Sequence, residues 1–146
     1  MEINARFEKN NEINIMTDSL QQYPLARLLE KGTGTAIHHR NGSSLTYSEL
    51  RSVVSDIGKQ LALMSVVPGD TVAIVTPNGP EAATIFVSVA SFATAAPLNP
   101  GYTKKEFKFY LEDLDTKLLI VLENHASKAV EAPRELDIRV VSIRSL

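Results

Sequence analysis

Residues 69–98 read GDTVAIVTPNGPEAATIFVSVASFATAAPL, and the fold class turns on them. Thr71 to Val75 is a short apolar run rich in β-branched residues, the composition of a strand buried on both faces. Thr76-Pro77-Asn78-Gly79 is loop chemistry, and Pro80 suits the first turn of a helix, where its missing N–H costs nothing. Residues 81–92 carry Ala82, Ile85, Phe86, Val87, Val89 and Phe92 on nearly every side, which predicts a helix covered on more than one face. Thr94 to Leu98 then reads as a second strand, closed by Asn99-Pro100-Gly101.

The same alternation continues downstream. Thr103 and Glu106 have the spacing of a capping box, and Phe107, Tyr110, Leu111 and Leu114 form the apolar stripe of the helix behind it. Lys117 to Leu122 is a third buried strand. Residues 125–131 predict a weak, short helix broken near Pro133, and Ile138 to Ile143 a fourth strand. Upstream, Thr46 and Glu49 make another capping box. Behind it Leu50, Val53, Val54, Ile57, Leu61 and Met64 keep a helical period up to the turn Pro68-Gly69-Asp70. Thr35 to His39 and Ser44 to Leu45 read as two strands joined by a two-residue turn at Asn41-Gly42, where both residues accept positive φ. Leu25, Leu28 and Leu29 share a helical face after Pro24, stopped by Gly32 and Gly34. Residues 1–18 hold four Asn and no sustained period, so they are expected to form a disordered or loosely held extension before a domain over 19–146. Strands alternating with helices predict an α/β fold: a partial doubly wound, mostly parallel sheet with flanking helices.

Composition excludes several function classes. The 146 residues carry a formal charge of −2, with 44% hydrophobic and 22% charged residues, which gives no basic surface for nucleic acid or anionic lipid. No Cys is present, so disulfides, thiolate metal sites and cysteine nucleophiles are absent. No secretory signal is visible in residues 1–19, so the sequon Asn41-Gly42-Ser43 carries no weight. The least charged stretch, residues 71–103, contains Glu81 and several prolines and is unfit to span a membrane.

Catalytic patterns are likewise missing. Gly32-Thr33-Gly34 lacks the third Gly of a dinucleotide fingerprint and follows a helix rather than a strand. Gly58-Lys59 has no upstream Gly at P-loop spacing. His38 and His39 are adjacent and point to opposite faces of a strand, and His125 stands apart, so the three do not converge on a metal. No G-x-S-x-G elbow occurs. Glu112, Asp113 and Asp115 read as a solvated helix end. The loops Thr76–Gly79 and Leu98–Tyr102 lie where open parallel sheets bind ligands, beyond the carboxyl ends of strands, although their Pro, Asn and Gly also serve plain turns.

Taken in order, several of these pieces resemble the acyl-adenylate-forming superfamily. Leu45-Thr46-Tyr47-Ser48-Glu49-Leu50 is similar to its first motif. Gly69-Asp70-Thr71-Val72-Ala73-Ile74 with Pro77-Asn78 and Glu81 resembles its next strand–loop–helix, and Ala95-Ala96-Pro97-Leu98-Asn99-Pro100 with Tyr102-Thr103 and Glu106-Phe107 the segment after that. Ala93 through Leu119 looks most like the oxalate–CoA ligase branch, on the strength of Ala95 to Asn99 and Glu106-Phe107-Lys108-Phe109-Tyr110-Leu111. The resemblance covers about residues 20–143 and implies an ATP-, Mg²⁺- and CoA-dependent ligase that forms acyl-AMP from a small carboxylic acid and then transfers the acyl group to the CoA thiol. The family does this with a Ser/Thr/Gly-rich loop ending in Lys, an aromatic-Thr-Glu motif, a ribose-binding Asp and a mobile Lys. None of these occurs in the 146 residues.

The expectation is therefore an N-terminal fragment with no catalytic, cofactor-binding or metal-binding residue of its own. It would bind no cofactor and be inactive alone. It would tend to self-associate through an exposed sheet edge and the apolar helix 81–92. The alternatives are a non-catalytic interaction module that pairs with an intact synthetase, or a truncated product without function. A cytoplasmic location is expected, with a peroxisomal one as the alternative, although Arg144-Ser145-Leu146 is not an S-K-L tripeptide.

Overall fold

The computed structural model describes residues 24–39, 42–123 and 129–143. The extension expected over residues 1–18 lies outside them. Helix α1 (Pro24–Lys31) leads into a hairpin of β1 (Thr35–His38) and β2 (Ser44–Thr46), and then into the long α2 (Tyr47–Leu63). Four β-strands follow: β3 (Thr71–Val75), β4 (Thr94–Pro97), β5 (Thr116–Leu122) and β6 (Arg139–Ile143). Helices α3 (Pro80–Ala90), α4 (Lys104–Asp113) and α5 (Glu131–Glu135) connect them in turn.

All strand pairs in this sheet are parallel and the order is β4-β3-β5-β6. The chain thus steps from β3 to β4 in one direction and returns across β3 to reach β5. Right-handed crossovers then force the connecting helices onto opposite faces. On one face Leu61 and Val66 from α2 and its exit, with Ile85, Val89 and Phe92 from α3 and its end, cover Val72, Ile74, Leu118 and Ile120. On the other, Phe107 and Leu111 of α4 with Ala129 and Ala132 cover Ala73, Val75, Leu119 and Val121. Alternate residues of β3 and β5 feed the two cores, and all four strand residues from Val72 to Val75 are buried. The doubly wound α/β architecture expected from the alternating pattern is present. A third cluster of Leu29, Leu50 and Val54 backs the first layer and takes Val87 from the outer side of α3. There Tyr47 lies against Gly32 so closely that a Cβ could not be accommodated.

Several local expectations need correction. The helix expected over 81–92 begins at Pro80, as that residue's fit to a first turn implies, but ends at Ala90. Ser91 caps it, and Phe92 turns inward through an N–H that donates to the Val89 carbonyl at 2.9 Å. Two of its polar residues also face inward. Thr84 and Ser88 are buried and donate their hydroxyls to the carbonyls of Pro80 and Thr84, at 2.8 and 2.7 Å. The short helix expected over 125–131 is instead Glu131–Glu135, with Pro133 inside it and buried. Proline fits there because the first helical turn uses no N–H donor. Residues 125–128 of that expectation lie outside the described residues. The hairpin closes through the His39 N–H to the Ser43 carbonyl at 2.9 Å, so three residues, not two, lie between this last bonded pair. Gly42, the last of the three, has φ +89°, the left-handed residue such loops require. Arg40 and Asn41 lie outside the described residues.

Both capping boxes are closed. Thr46 accepts from the Glu49 N–H while Glu49 Oε2 accepts from the Thr46 N–H at 2.8 Å. Thr103 and Glu106 repeat this at α4, with the return bond at 2.7 Å.

Candidate functional site

Doubly wound sheets bind ligands outside the carboxyl ends of their strands, and a cavity of about 390 Å³ lies at that edge, between β3 and β4. It is lined by Ile74 and Thr76 from the end of β3, Ala82 and Phe86 from α3, and Pro97 to Pro100 with Asn78 from the two loops. The loops that the sequence singles out, Thr76–Gly79 and Leu98–Tyr102, therefore meet at one place. Thr76 is buried and continues the side of β3 that carries Ile74. Asn99 folds its carboxamide back, and Oδ1 accepts the Gly101 N–H at 2.8 Å. Phe86, 41% exposed, forms part of the wall.

The lining contains no charged side chain. Developing negative charge on a phosphate needs cations or convergent backbone donors, and this cavity supplies hydroxyl and amide dipoles beside apolar walls. Its chemistry is that of a neutral, partly apolar recess.

A second cavity, of about 600 Å³, lies at the opposite, amino edge, lined by Met64, Ser65, Thr116 to Leu118 and Leu136 to Arg139. Helix ends dominate it. Ser65 and Asp137 stand in left-handed conformation (φ 62° and 54°), just past the ends of α2 and α5. The next residue's N–H in each case reaches back to a carbonyl of the helix, Val66 to Leu61 at 3.0 Å and Ile138 to Pro133 at 3.1 Å. Arg139 Nη1 donates to the Met64 carbonyl at 3.2 Å and so ties β6 to the end of α2. Thr116 Oγ1 is buried without a hydrogen-bond partner, at a register slip between β3 and β5 that leaves Lys117 exposed. These features close helices and join layers.

Displaced pKa values fall outside both cavities. Glu49 and Glu106 are lowered first by the backbone N–H of their caps, Thr46 and Thr103, and then by the threonine hydroxyls. Glu135 is lowered by hydrogen bonds from Lys104 and Lys108, and Lys104 is raised by the same pairing, with Nζ 2.7 Å from Glu135 Oε1. Tyr102 is raised chiefly by its hydrogen bond with Tyr110, on which its ring stacks at 5.0 Å. Each shift has a structural cause at a cap, an ion pair or a tyrosine–tyrosine hydrogen bond. Among the described residues no group of three or more His, Asp or Glu could hold a metal ion, and no helix is long and apolar enough to cross a membrane.

Of the patterns weighed in the sequence, Gly58 is a buried position of α2, and Lys59 pairs with Asp56 at 3.4 Å. Glu112, Asp113 and Asp115 are exposed, as expected. Sequence reasoning missed Phe86 and Ala82 as cavity walls. The signal available was their place on the first two turns of the helix that leaves the β3 loop. It also missed Arg51, whose Nη1 donates to the carbonyls of Leu29 and Gly32, both at 3.0 Å, and so closes the end of α1.

Comparison with known proteins agrees with this scaffold. A family model described as AMP-binding enzyme matches residues 26–145. The oxalate–CoA ligase of Arabidopsis thaliana is 39% identical over 101 residues, 68% of this chain and 20% of that protein. The 4-coumarate–CoA ligase 3 of Oryza sativa subsp. japonica is 31% identical over 132 residues, 89% of this chain and 24% of that protein. Among solved structures, apo MatB from Rhodopseudomonas palustris superposes with a TM-score of 0.72 over 82% of this chain and 25% of that one, at 22% identity. The chain spans about a fifth of the length of the first relatives it matches.

Proposed function

The chain belongs to the AMP-binding enzyme family, and from that membership we propose that it is the N-terminal part of a carboxylate–CoA ligase of the oxalate–CoA ligase type, serving as scaffold rather than as catalyst. In the whole enzyme a carboxylate oxygen attacks the α-phosphorus of ATP, releasing pyrophosphate, and the CoA thiol then displaces AMP. A small carboxylic acid, ATP with Mg²⁺ and CoA are the substrates this reading assigns to the whole protein, in the cytoplasm. The observation that carries the scaffold role is the uncharged lining of the carboxyl-edge cavity. With no phosphate loop and no cation there, this chain alone catalyses neither half-reaction.

The test is carboxylate-dependent release of pyrophosphate from ATP by the purified chain, with oxalate and several longer acids. Background-level release is expected. Release that survives repurification overturns the scaffold reading. A second reading, an interaction module that pairs with an intact synthetase, is favoured by β6. This outermost strand keeps Val140, Val141 and Ile143 only half buried, and Phe86 adds exposed apolar surface on α3. Sedimentation of the same preparation tests the self-association expected of the fragment: a sharp monomer argues against it.

A further inference from the structure

The carboxyl-edge cavity contains two asparagines in opposite chemical situations, and we propose that one of them, Asn78, is a site of spontaneous deamidation through its bond to Gly79. The Gly79 backbone nitrogen attacks Asn78 Cγ and gives up its proton. The side-chain nitrogen leaves as ammonia, and a five-membered succinimide forms. Water then opens the ring. Cleavage on the side-chain carbonyl restores the main chain with an aspartyl residue. Cleavage on the main-chain carbonyl leaves an isoaspartyl link, longer by one methylene. Water is the only co-reactant.

Exposure, hydrogen bonding and position in the loop favour this reaction. Asn78 and Gly79 are both exposed. Gly79 has no Cβ to shield its nitrogen. Its carbonyl is engaged, accepting from Ala83 at 3.1 Å, but its N–H donates to no described backbone carbonyl. Gly79 is the cap of α3 and is followed by Pro80, so the attacking nitrogen lies in the loop and outside the helical ladder. Asn99, across the same cavity, fails on two counts. The next residue is Pro100, whose nitrogen has no proton to lose, and Asn99 Oδ1 is held by the Gly101 N–H at 2.8 Å. The reaction therefore discriminates between two asparagines that share one recess.

The product changes the character of the recess. Asn78 becomes the first charged group in a lining that has none. The new carboxylate stands at the N-terminus of α3, beside Glu81, whose Oε2 lies 3.4 Å from where a Cβ on Gly79 would be. A helix N-terminus stabilises an acid there, so the charge is tolerated by the fold while the cavity turns anionic.

The experiment ages the full chain in mildly alkaline buffer and locates, by peptide mapping and fragment-ion sequencing, each amide replaced by an acid. Time-dependent conversion at Asn78 is expected, faster as pH rises, with isoaspartyl product present and Asn99 intact. Gly79→Ala, whose backbone is extended and whose added Cβ meets only ordinary contact, should slow the conversion about tenfold with unchanged melting. Freshly made Asn78→Asp should co-migrate on ion exchange with the aspartyl fraction of the aged chain. Conversion confined to Asn41, the other Asn-Gly step, overturns the proposal, as does an unchanged rate in Gly79→Ala.

Discussion

One face of the sheet is covered by helices of 17 and 11 residues, the other by helices of 10 and 5. The first layer is backed by a further cluster of Leu29, Leu50 and Val54, so its inner helix α3 is packed on two sides. Among the described residues the second layer has no such backing. It is held by Phe107 and Leu111 pressed onto β3 and β5, by a ring stack of Tyr102 on Tyr110, and by Lys104 and Lys108 reaching from α4 to Glu135 of α5. Equal burial of the sheet's two faces is thus achieved with very unequal amounts of covering chain. The thin layer depends on a few large side chains and surface charges, and the thick one on redundant apolar contact.

The sharpest way to test this contrast is to remove one fully buried ring from each side. Phe92→Ala and Phe107→Ala should each cost about 3–5 kcal/mol, with Phe107→Ala the more damaging because, among the described residues, no outer layer supports α4. Chemical denaturation of the two variants measures it. If Phe107→Ala costs clearly less, the second layer lies outside the cooperative unit and the comparison fails.

The capping boxes offer a smaller, matched perturbation. Thr46→Ala and Thr103→Ala each remove the same cap, worth about 1 kcal/mol. Hydrogen exchange should show the loss spread through the thick layer after Thr46→Ala but confined to α4 and α5 after Thr103→Ala. Within a whole enzyme either change should lower stability with little effect on kcat. Unchanged melting with a large kcat loss would show that these residues act on substrate.

The smallest effect is electrostatic. Glu135 has its folded-state pKa lowered by Lys104 and Lys108. Its contribution is therefore fully present above the ordinary carboxylate pKa and fades as pH falls through the lowered value. Glu135→Gln should flatten the acid side of the melting-temperature profile. Glu49 and Glu106 are lowered too, but at caps on both layers, so their acid response does not distinguish the faces. An identical acid profile for wild type and Glu135→Gln would show that the ion pairs add nothing to the thin layer.

Features whose partners lie three or four residues away were readable in advance. Thr46 with Glu49 and Thr103 with Glu106 bond as their spacing implies, and the buried runs Val72–Val75 and Leu118–Leu122 become the central strands. Features that rest on distant partners were not. The order β4-β3-β5-β6 follows from which strand returns beside β3, and no local pattern encodes that. The start of α5 is hidden in the sequence because Pro133 resembles a breaker, whereas in a first turn it is neutral. The apolar look of α3 concealed that Thr84 and Ser88 also face inward, their hydroxyls satisfied by the helix's own carbonyls. Of the candidate site, the two loops were found from the strand-end rule. That Phe86 walls the space between them required the packing of α3.

The strand order also has a consequence for synthesis. Thr71 pairs with Thr116, so the central strand β3 waits for a neighbour 45 residues further along. At about 5–20 residues per second a ribosome needs about 2–9 s to deliver it. During that interval β4 can dock on one side of β3, while the other side of Val72–Val75 offers unpaired backbone and greasy side chains to whatever is near the exit tunnel. A central strand of the finished molecule, buried from Val72 to Val75, is therefore left half-paired while the chain is being made, and a holdase or a stalled neighbour would meet it in that state.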